Sequence, residues 1–241
     1  MSRLEVKNLT VRRGTKNVIE DLSFTLETGR VTAFLGPNGA GKSSLVLALA
    51  GALASQSGEI SLDGQSLFGA SPELIRRAGV AAVPEGHRLL AGMSVEDNLA
   101  AAGFHLSKKQ LGAAVAEVYE IFPELAGRRD QRAGSMSGGQ QQMVALGQAV
   151  VSRPRFILAD EMSLGLAPLI VTRLMRVVER LAASGVGILL IEQFTGVALG
   201  LADEAFVLSR GRFSYGGSPR KLLAQPELLH TAYLGETAAV A

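Results

Sequence analysis

The octapeptide Gly36-Pro37-Asn38-Gly39-Ala40-Gly41-Lys42-Ser43 constrains this chain more than any other stretch. It fits the pattern of a phosphate-binding loop, follows the apolar run 31–35 and opens a helical pattern, which is the setting that such a loop requires. Its glycines let successive backbone amides turn inward on phosphate oxygens, and the helix N-terminus adds positive potential. In that geometry Lys42 reaches the β and γ phosphates, and Ser43, followed by Ser44, supplies a hydroxyl for Mg²⁺. The bland alternative, a glycine-rich turn with an incidental Lys-Ser pair, gives no account of the flanking strand and helix.

Short β-branched and leucine-rich runs at 4–11, 31–35, 59–62, 79–83, 156–159 and 188–191 read as strands, several of them buried on both faces. Helical patterns lie between them. The alternation predicts an α/β fold with a mainly parallel central sheet, an antiparallel β edge from the early strands, and a nucleotide at the strands' carboxyl ends. From about Glu85 to Val151 the strand signal stops, and Leu111, Val115, Val118, Tyr119 and Phe122 recur at helical spacing, which predicts an inserted helical subdomain. Ser94 followed by Asp97 reads as a helix cap. Strand character returns at 205–208 and 212–215, before a helical end from Pro219 to Leu234.

Composition removes several classes of function. With no cysteine among 241 residues there is no disulfide, thiolate nucleophile or cysteine-ligated metal, and His87, His105 and His230 show no zinc spacing. The pI of 9.1 accompanies a net charge of only +2, with basic residues in pairs such as Arg12-Arg13, Lys108-Lys109 and Arg128-Arg129, which suits solvated surface and not nucleic acid. The longest apolar run, 45–54, is far short of the ~20 residues that cross a bilayer. Charges at Arg3, Glu5 and Lys7 fall where a signal peptide needs an apolar stretch, so neither a transmembrane segment nor a signal peptide is expected and the cytoplasm is the expected place.

The run 156–159 leads into Asp160-Glu161, two carboxylates that alternate across a strand and so have two roles open to them. Asp160 suits Mg²⁺ held through a water. Glu161 suits orienting or deprotonating the water that attacks a γ phosphate. Such a pair alone is ordinary solvated surface; beside a phosphate loop it supplies the metal and the positioned nucleophile that phosphoryl transfer needs. Ser137-Gly138-Gly139-Gln140 precedes the helical run 141–151 and is a second anion-site candidate, although without an adjacent lysine or metal ligand the residues by themselves favour an ordinary Ser-Gly helix start.

With the loop 36–43, Ser137-Gly138-Gly139-Gln140 and Asp160-Glu161 in this order, the chain resembles the ATP-binding-cassette (ABC) ATPases from end to end. The resemblance implies a P-loop NTPase: one ABC domain over 1–241, a RecA-like core at 1–84 and 152–241, and a helical signature subdomain at 85–151. It implies ATP and Mg²⁺ as ligands, with Lys42, Glu161 and Gln193 in catalysis. ATP would be held by Gly36 through Ser44, by Arg13, and by Ser137, Gly138, Gly139 and Gln140 of a second chain paired head to tail; Mg²⁺ would be held by Ser43, Glu85 and Asp160. Within the family, Val83-Pro84-Glu85-Gly86, Ser163-Leu164-Gly165-Leu166-Ala167-Pro168, Ile191-Glu192-Gln193 and Tyr233-Leu234-Gly235 resemble the second ATPase subunit of branched-chain (hydrophobic) amino-acid importers.

That likeness implies a peripheral protein on the cytoplasmic face of the inner membrane. Its partners would be a second ABC ATPase subunit, with a heterodimer favoured over a homodimer, two transmembrane permease subunits, and indirectly an extracytoplasmic solute-binding protein, with no nucleic acid. The rivals are an ABC ATPase acting on nucleic acid or in translation, a regulatory protein that binds ATP without turnover, and an importer of another solute. Some positions depart from the family. Arg13 stands near the place of an adenine-stacking aromatic, although a guanidinium also lies flat on a π face. Glu85 replaces a glutamine that senses Mg²⁺ and contacts the transmembrane partner. Gln193 replaces a switch histidine, and its amide can donate to a γ phosphate but never becomes cationic. Met136 and Met162 are apolar exchanges that tune packing.

Overall fold

Five consecutive buried residues, Val31 to Leu35, fix the middle of the molecule, because a strand apolar on both faces must lie between two layers. The computed structural model describes residues 1–86 and 88–235; His87 and 236–241 lie outside the described residues. In chain order the elements are β1 (Arg3–Arg13), β2 (Lys16–Glu27), β3 (Val31–Leu35), α1 (Lys42–Leu49), β4 (Ser55–Leu62), β5 (Gln65–Ser66), α2 (Pro72–Ala78) and β6 (Val80–Val83). A helical stretch follows, with α3 (Val95–Ala102), α4 (Lys108–Ile121), α5 (Pro123–Ala126), a 3-10 turn at Ala133–Ser135 and α6 (Gly138–Val151). The chain then returns to alternation through β7 (Phe156–Asp160), α7 (Pro168–Ala183), β8 (Gly187–Ile191), α8 (Thr195–Leu201), β9 (Glu204–Ser209) and β10 (Arg212–Gly217), and ends in α9 (Pro219–Ala224) and α10 (Pro226–Leu234).

The central sheet has the order β10-β9-β3-β8-β7-β6, parallel except for the β9-β10 hairpin. The early strands are antiparallel as expected, and they build a sheet of their own in the order β2-β1-β4-β5. Alternation along β3 divides the interior. Val31, Ala33 and Leu35 join the core shared with α6 and α7, whereas Phe34 joins the core between the sheets, where it meets Phe24, Phe206 and Phe213 edge to face.

Lys16–Glu27 carried no strand signal in the sequence, and its backbone explains why. Its buried residues Ile19, Leu22, Phe24 and Leu26 break period two between Ile19 and Leu22. The intervening Asp21 sits at φ 54°, facing Asn8 of β1 at φ 49°, and Asn8 Nδ2 donates to Asp21 Oδ1 at 2.7 Å. The paired irregularities shift both strands together, so the apolar face stays inward although the sequence spacing becomes three. In the helical stretch, Ser94 caps α3 by accepting from the Asp97 amide at 3.0 Å, and Val115, Val118 and Tyr119 of α4 are buried together with Phe122, as their spacing predicts. No helix among the described residues is long and apolar enough to cross a membrane.

Candidate functional site

The parallel strands β3, β6, β7 and β8 all deliver their carboxyl ends to one side of the sheet. Beyond β3, Gly36 takes φ 147°, and a Cβ there would stand 2.1 Å from the Leu208 carbonyl oxygen; Gly41 takes φ 112°, and its Cβ would stand 2.4 Å from that of Val18. Only glycine fits either place. The Ala40 amide donates to the Pro37 carbonyl at 3.2 Å, and the Gly211 amide to the Ala40 carbonyl at 3.1 Å, so the loop is braced from the β9-β10 turn. Lys42, the first residue of α1, is 4% exposed and donates Nζ to the carbonyls of Gly36 at 2.9 Å and Pro37 at 3.1 Å.

Asp160 closes β7 and is 2% exposed. The Ser43 hydroxyl donates to its carboxylate, while Asp160 Oδ1 is buried with no hydrogen-bond partner. Burial pushes this carboxyl up to about 6; Glu161 and Glu85 push the same way by repulsion, and Ser43 and Lys42 oppose them. An unpaired buried carboxylate oxygen beside a serine hydroxyl, with Glu85 near, is an all-oxygen donor set that fits Mg²⁺.

Glu161 leaves the strand at φ 49°, its amide donating to the Ile191 carbonyl at 2.9 Å. Its Oε1 lies 3.7 Å from Lys42 Nζ, and its Oε2 accepts from Gln193 Nε2 at 2.9 Å. The same Gln193 amide stands 3.3 Å from Asn38 Oδ1 in the loop. The two adjacent carboxylates therefore diverge, Asp160 toward Ser43 and Glu161 toward Lys42 and Gln193.

These groups surround a cleft of about 700 Å³. Asn38, Gly39, Gly41, Lys42, Ser43 and Ser44 form one wall, Glu85, Glu161 and Gln193 another, and Arg13, Val18 and Leu164 complete the lining. Gly36, Pro37 and Ala40 shape the loop without lining the cleft, and Asp160 lies beneath it. Val18 and Leu164 line the cleft unforeseen, since a single apolar residue carries no motif. Ser137 and Gln140 face a separate recess of about 410 Å³ with Met143, Ile170 and Arg173. There they form a capping box, with Ser137 Oγ accepting from the Gln140 amide at 3.4 Å and Gln140 Oε1 accepting from the Ser137 amide at 3.1 Å. Gly138 opens α6, and a Cβ on Gly139 would meet Ile170 at 2.9 Å.

Comparison with known proteins accords with this geometry. Residues 19–163 match the family model described as ABC transporter. The chain is 41% identical over 222 residues to the high-affinity branched-chain amino acid transport ATP-binding protein BraG of Pseudomonas aeruginosa, covering 92% of this chain and 95% of that protein. It is 31% identical over 239 residues to the lipopolysaccharide export system ATP-binding protein LptB of Escherichia coli, covering 98% of each. A solved ATP-binding subunit of an ABC transporter matches with a TM-score of 0.83 at 30% identity, over 96% of this chain and 98% of that one.

Proposed function

The chain belongs to the ABC transporter family as its ATP-binding ATPase, and from that premise we propose that it energises an importer of branched-chain or other hydrophobic amino acids. The observation that carries hydrolysis is the convergence of Lys42, Glu161 and Gln193 on the phosphate loop, with contacts of 2.9 to 3.7 Å between them. The observation that favours amino acids is the likeness to BraG along almost the whole of both chains.

In this mechanism Lys42 gives up the carbonyls of Gly36 and Pro37 for the β and γ phosphates, while amides of the loop and of the α1 N-terminus surround their oxygens. Ser43, Asp160 and Glu85 would hold Mg²⁺, which would supply positive charge to neutralise the phosphates. Glu161 orients and deprotonates the attacking water, and Gln193 donates its amide to the γ phosphate. Arg13 lies flat on the base. Residues 85–151 act as a subdomain whose Ser137, Gly138, Gly139 and Gln140 close over the nucleotide of a second ABC ATPase chain, in a heterodimer more readily than a homodimer. Closure around ATP and opening after hydrolysis drive two permease subunits that receive solute from an extracytoplasmic binding protein. The chain works as a peripheral protein at the cytoplasmic face of the inner membrane.

The likeness to LptB supports a second reading, the motor of an envelope exporter, because a motor of this kind does not itself contact the cargo. Purification of the chain from gently solubilised native membranes, with mass spectrometry of what stays bound, separates the two. Recovery of two polytopic permeases and a second cassette ATPase is expected. Recovery of an envelope-export assembly supports the second reading, and recovery of only soluble or ribosomal proteins overturns both.

A further inference from the structure

Glu192 stands immediately before Gln193 and is 1% exposed, although it carries a carboxylate. Its Oε1 accepts the Ser163 amide at 3.2 Å, and its Oε2 accepts the Ser163 hydroxyl. Ser163 is itself 1% exposed. Just beyond β8, Gln193 reaches the cleft whereas Glu192 turns into the protein. The facing segment repeats this division of labour: Glu161 meets Gln193, and Ser163, two residues on, meets Glu192.

Three ties thus join the ends of β7 and β8, the third being the Glu161 amide on the Ile191 carbonyl at 2.9 Å. Past Ser163 the chain turns at Gly165, φ 73°, with the Leu164 amide 3.3 Å from the Glu161 carbonyl and the Leu166 amide 3.2 Å from that of Ser163. Leu164 lines the cleft and is 43% exposed. Burying a carboxylate is expensive unless hydrogen bonds satisfy it, and an apolar pair would fill the same space more cheaply. What the pair supplies is a fixed geometry between two strand ends.

We propose that Glu192 is a positioning residue for hydrolysis: by accepting both hydrogen bonds of Ser163 it fixes the turn from Glu161 to Leu166 against the segment that carries Gln193. Base, amide and the Leu164 wall of the cleft then move as one unit. This rests on the ATPase assignment of Glu161 made above.

The test compares the full-length wild type with Glu192→Ala, Glu192→Gln, Ser163→Ala and, as reference, Glu161→Gln, measuring kcat, KM and ATP affinity without turnover. Misplacing reacting groups by about 1 Å costs about 100-fold, so Glu192→Ala should lower kcat by that order with ATP affinity within about threefold. Ser163→Ala, which leaves the amide bond in place, should lower kcat about tenfold. Glu192→Gln keeps an acceptor for the Ser163 amide and offers a donor to its hydroxyl oxygen, so it should restore kcat to within about threefold of wild type. Amide hydrogen exchange over 161–166 should quicken in Glu192→Ala and return to normal in Glu192→Gln.

Wild-type kcat in Glu192→Ala, an equal fall in kcat and affinity, or unchanged exchange over 161–166 overturns the proposal. Should Glu192→Ala not fold, Ser163→Ala decides, and an unchanged kcat there overturns it equally. An active wild type with a dead Glu161→Gln and an unaffected Glu192→Ala removes this inference alone. Equal turnover in wild type and Glu161→Gln removes the catalytic assignment beneath it as well.

Discussion

Gln193 donates its amide Nε2 to Glu161 Oε2 at 2.9 Å, joining the ends of β8 and β7 at the mouth of the phosphate loop. The donor is neutral at every working pH, so it fixes the carboxylate's orientation without a charge of its own. The contact ties the candidate base to the residue placed to meet the γ phosphate.

Replacing the carboxylate should therefore separate binding from turnover. Glu161→Gln keeps the size of the side chain and loses its basicity, and loss of a general base costs about 10² to 10⁴ in rate. ATP binding should persist, and the ATP-bound dimer should accumulate on size-exclusion chromatography. Turnover equal to wild type would remove Glu161 from the chemistry.

Lys42→Ala should act on affinity. The buried ammonium already holds two carbonyl oxygens of the loop and stands 3.7 Å from Glu161 Oε1. A hydrogen bond to a charged group contributes about 1.5–3 kcal/mol, so ATP affinity should fall by about 10- to 100-fold. Titration with a fluorescent ATP analogue measures this, and an unchanged dissociation constant would count against the phosphate assignment.

Much of the fold and the loop was legible because the signals are local. The glycines of 36–43 are needed for backbone reasons within the loop itself, and the doubly buried strands 31–35, 156–159 and 188–191 show as apolar runs interrupted only by Thr32. β2 was illegible because Asp21 resets its period, and only the facing irregularity at Asn8 makes that compatible with a sheet. Val18, Leu164 and the Ser163–Glu192 pair were illegible as site features for another reason. Their roles depend on which strand ends become neighbours, and sheet order is not written in any one segment.

Asn98 shows the same limit and carries a stability prediction. Fully buried in α3, it donates Nδ2 to the carbonyls of Leu90 at 3.0 Å and Ser94 at 2.9 Å, while its Oδ1 accepts from the Leu90 amide at 2.9 Å and from Gln148 Nε2 at 3.2 Å. One side chain thus ties the segment before α3 to α6. Asn98→Ala strands buried partners, each worth about 1–3 kcal/mol, and should lower stability by about 2–3 kcal/mol in denaturant unfolding. A loss below about 0.5 kcal/mol, the range of ordinary surface substitutions, would show that water replaces the network.

The last prediction concerns the metal-free protein, in which Asp160 weakens the fold. Its carboxyl is raised from 3.8 to about 6, so between those values the native state binds more protons than the unfolded chain. Stability from this group is fully present below about pH 4, is lost as pH rises through about 6, and stays lost above; a shift of about two units corresponds to about 3 kcal/mol. Chelator-treated Asp160→Asn should therefore unfold at a higher temperature than wild type at pH 7.5, by about 2–4 °C for each kcal/mol recovered. The difference should shrink at pH 5, where wild-type Asp160 is largely protonated. With Mg²⁺ and ATP added the order should narrow or reverse, because the variant has given up a metal oxygen. A variant less stable than wild type at pH 7.5 without metal would mean that the buried carboxylate is satisfied in the free protein, and that its unpaired oxygen is not held ready for a cation.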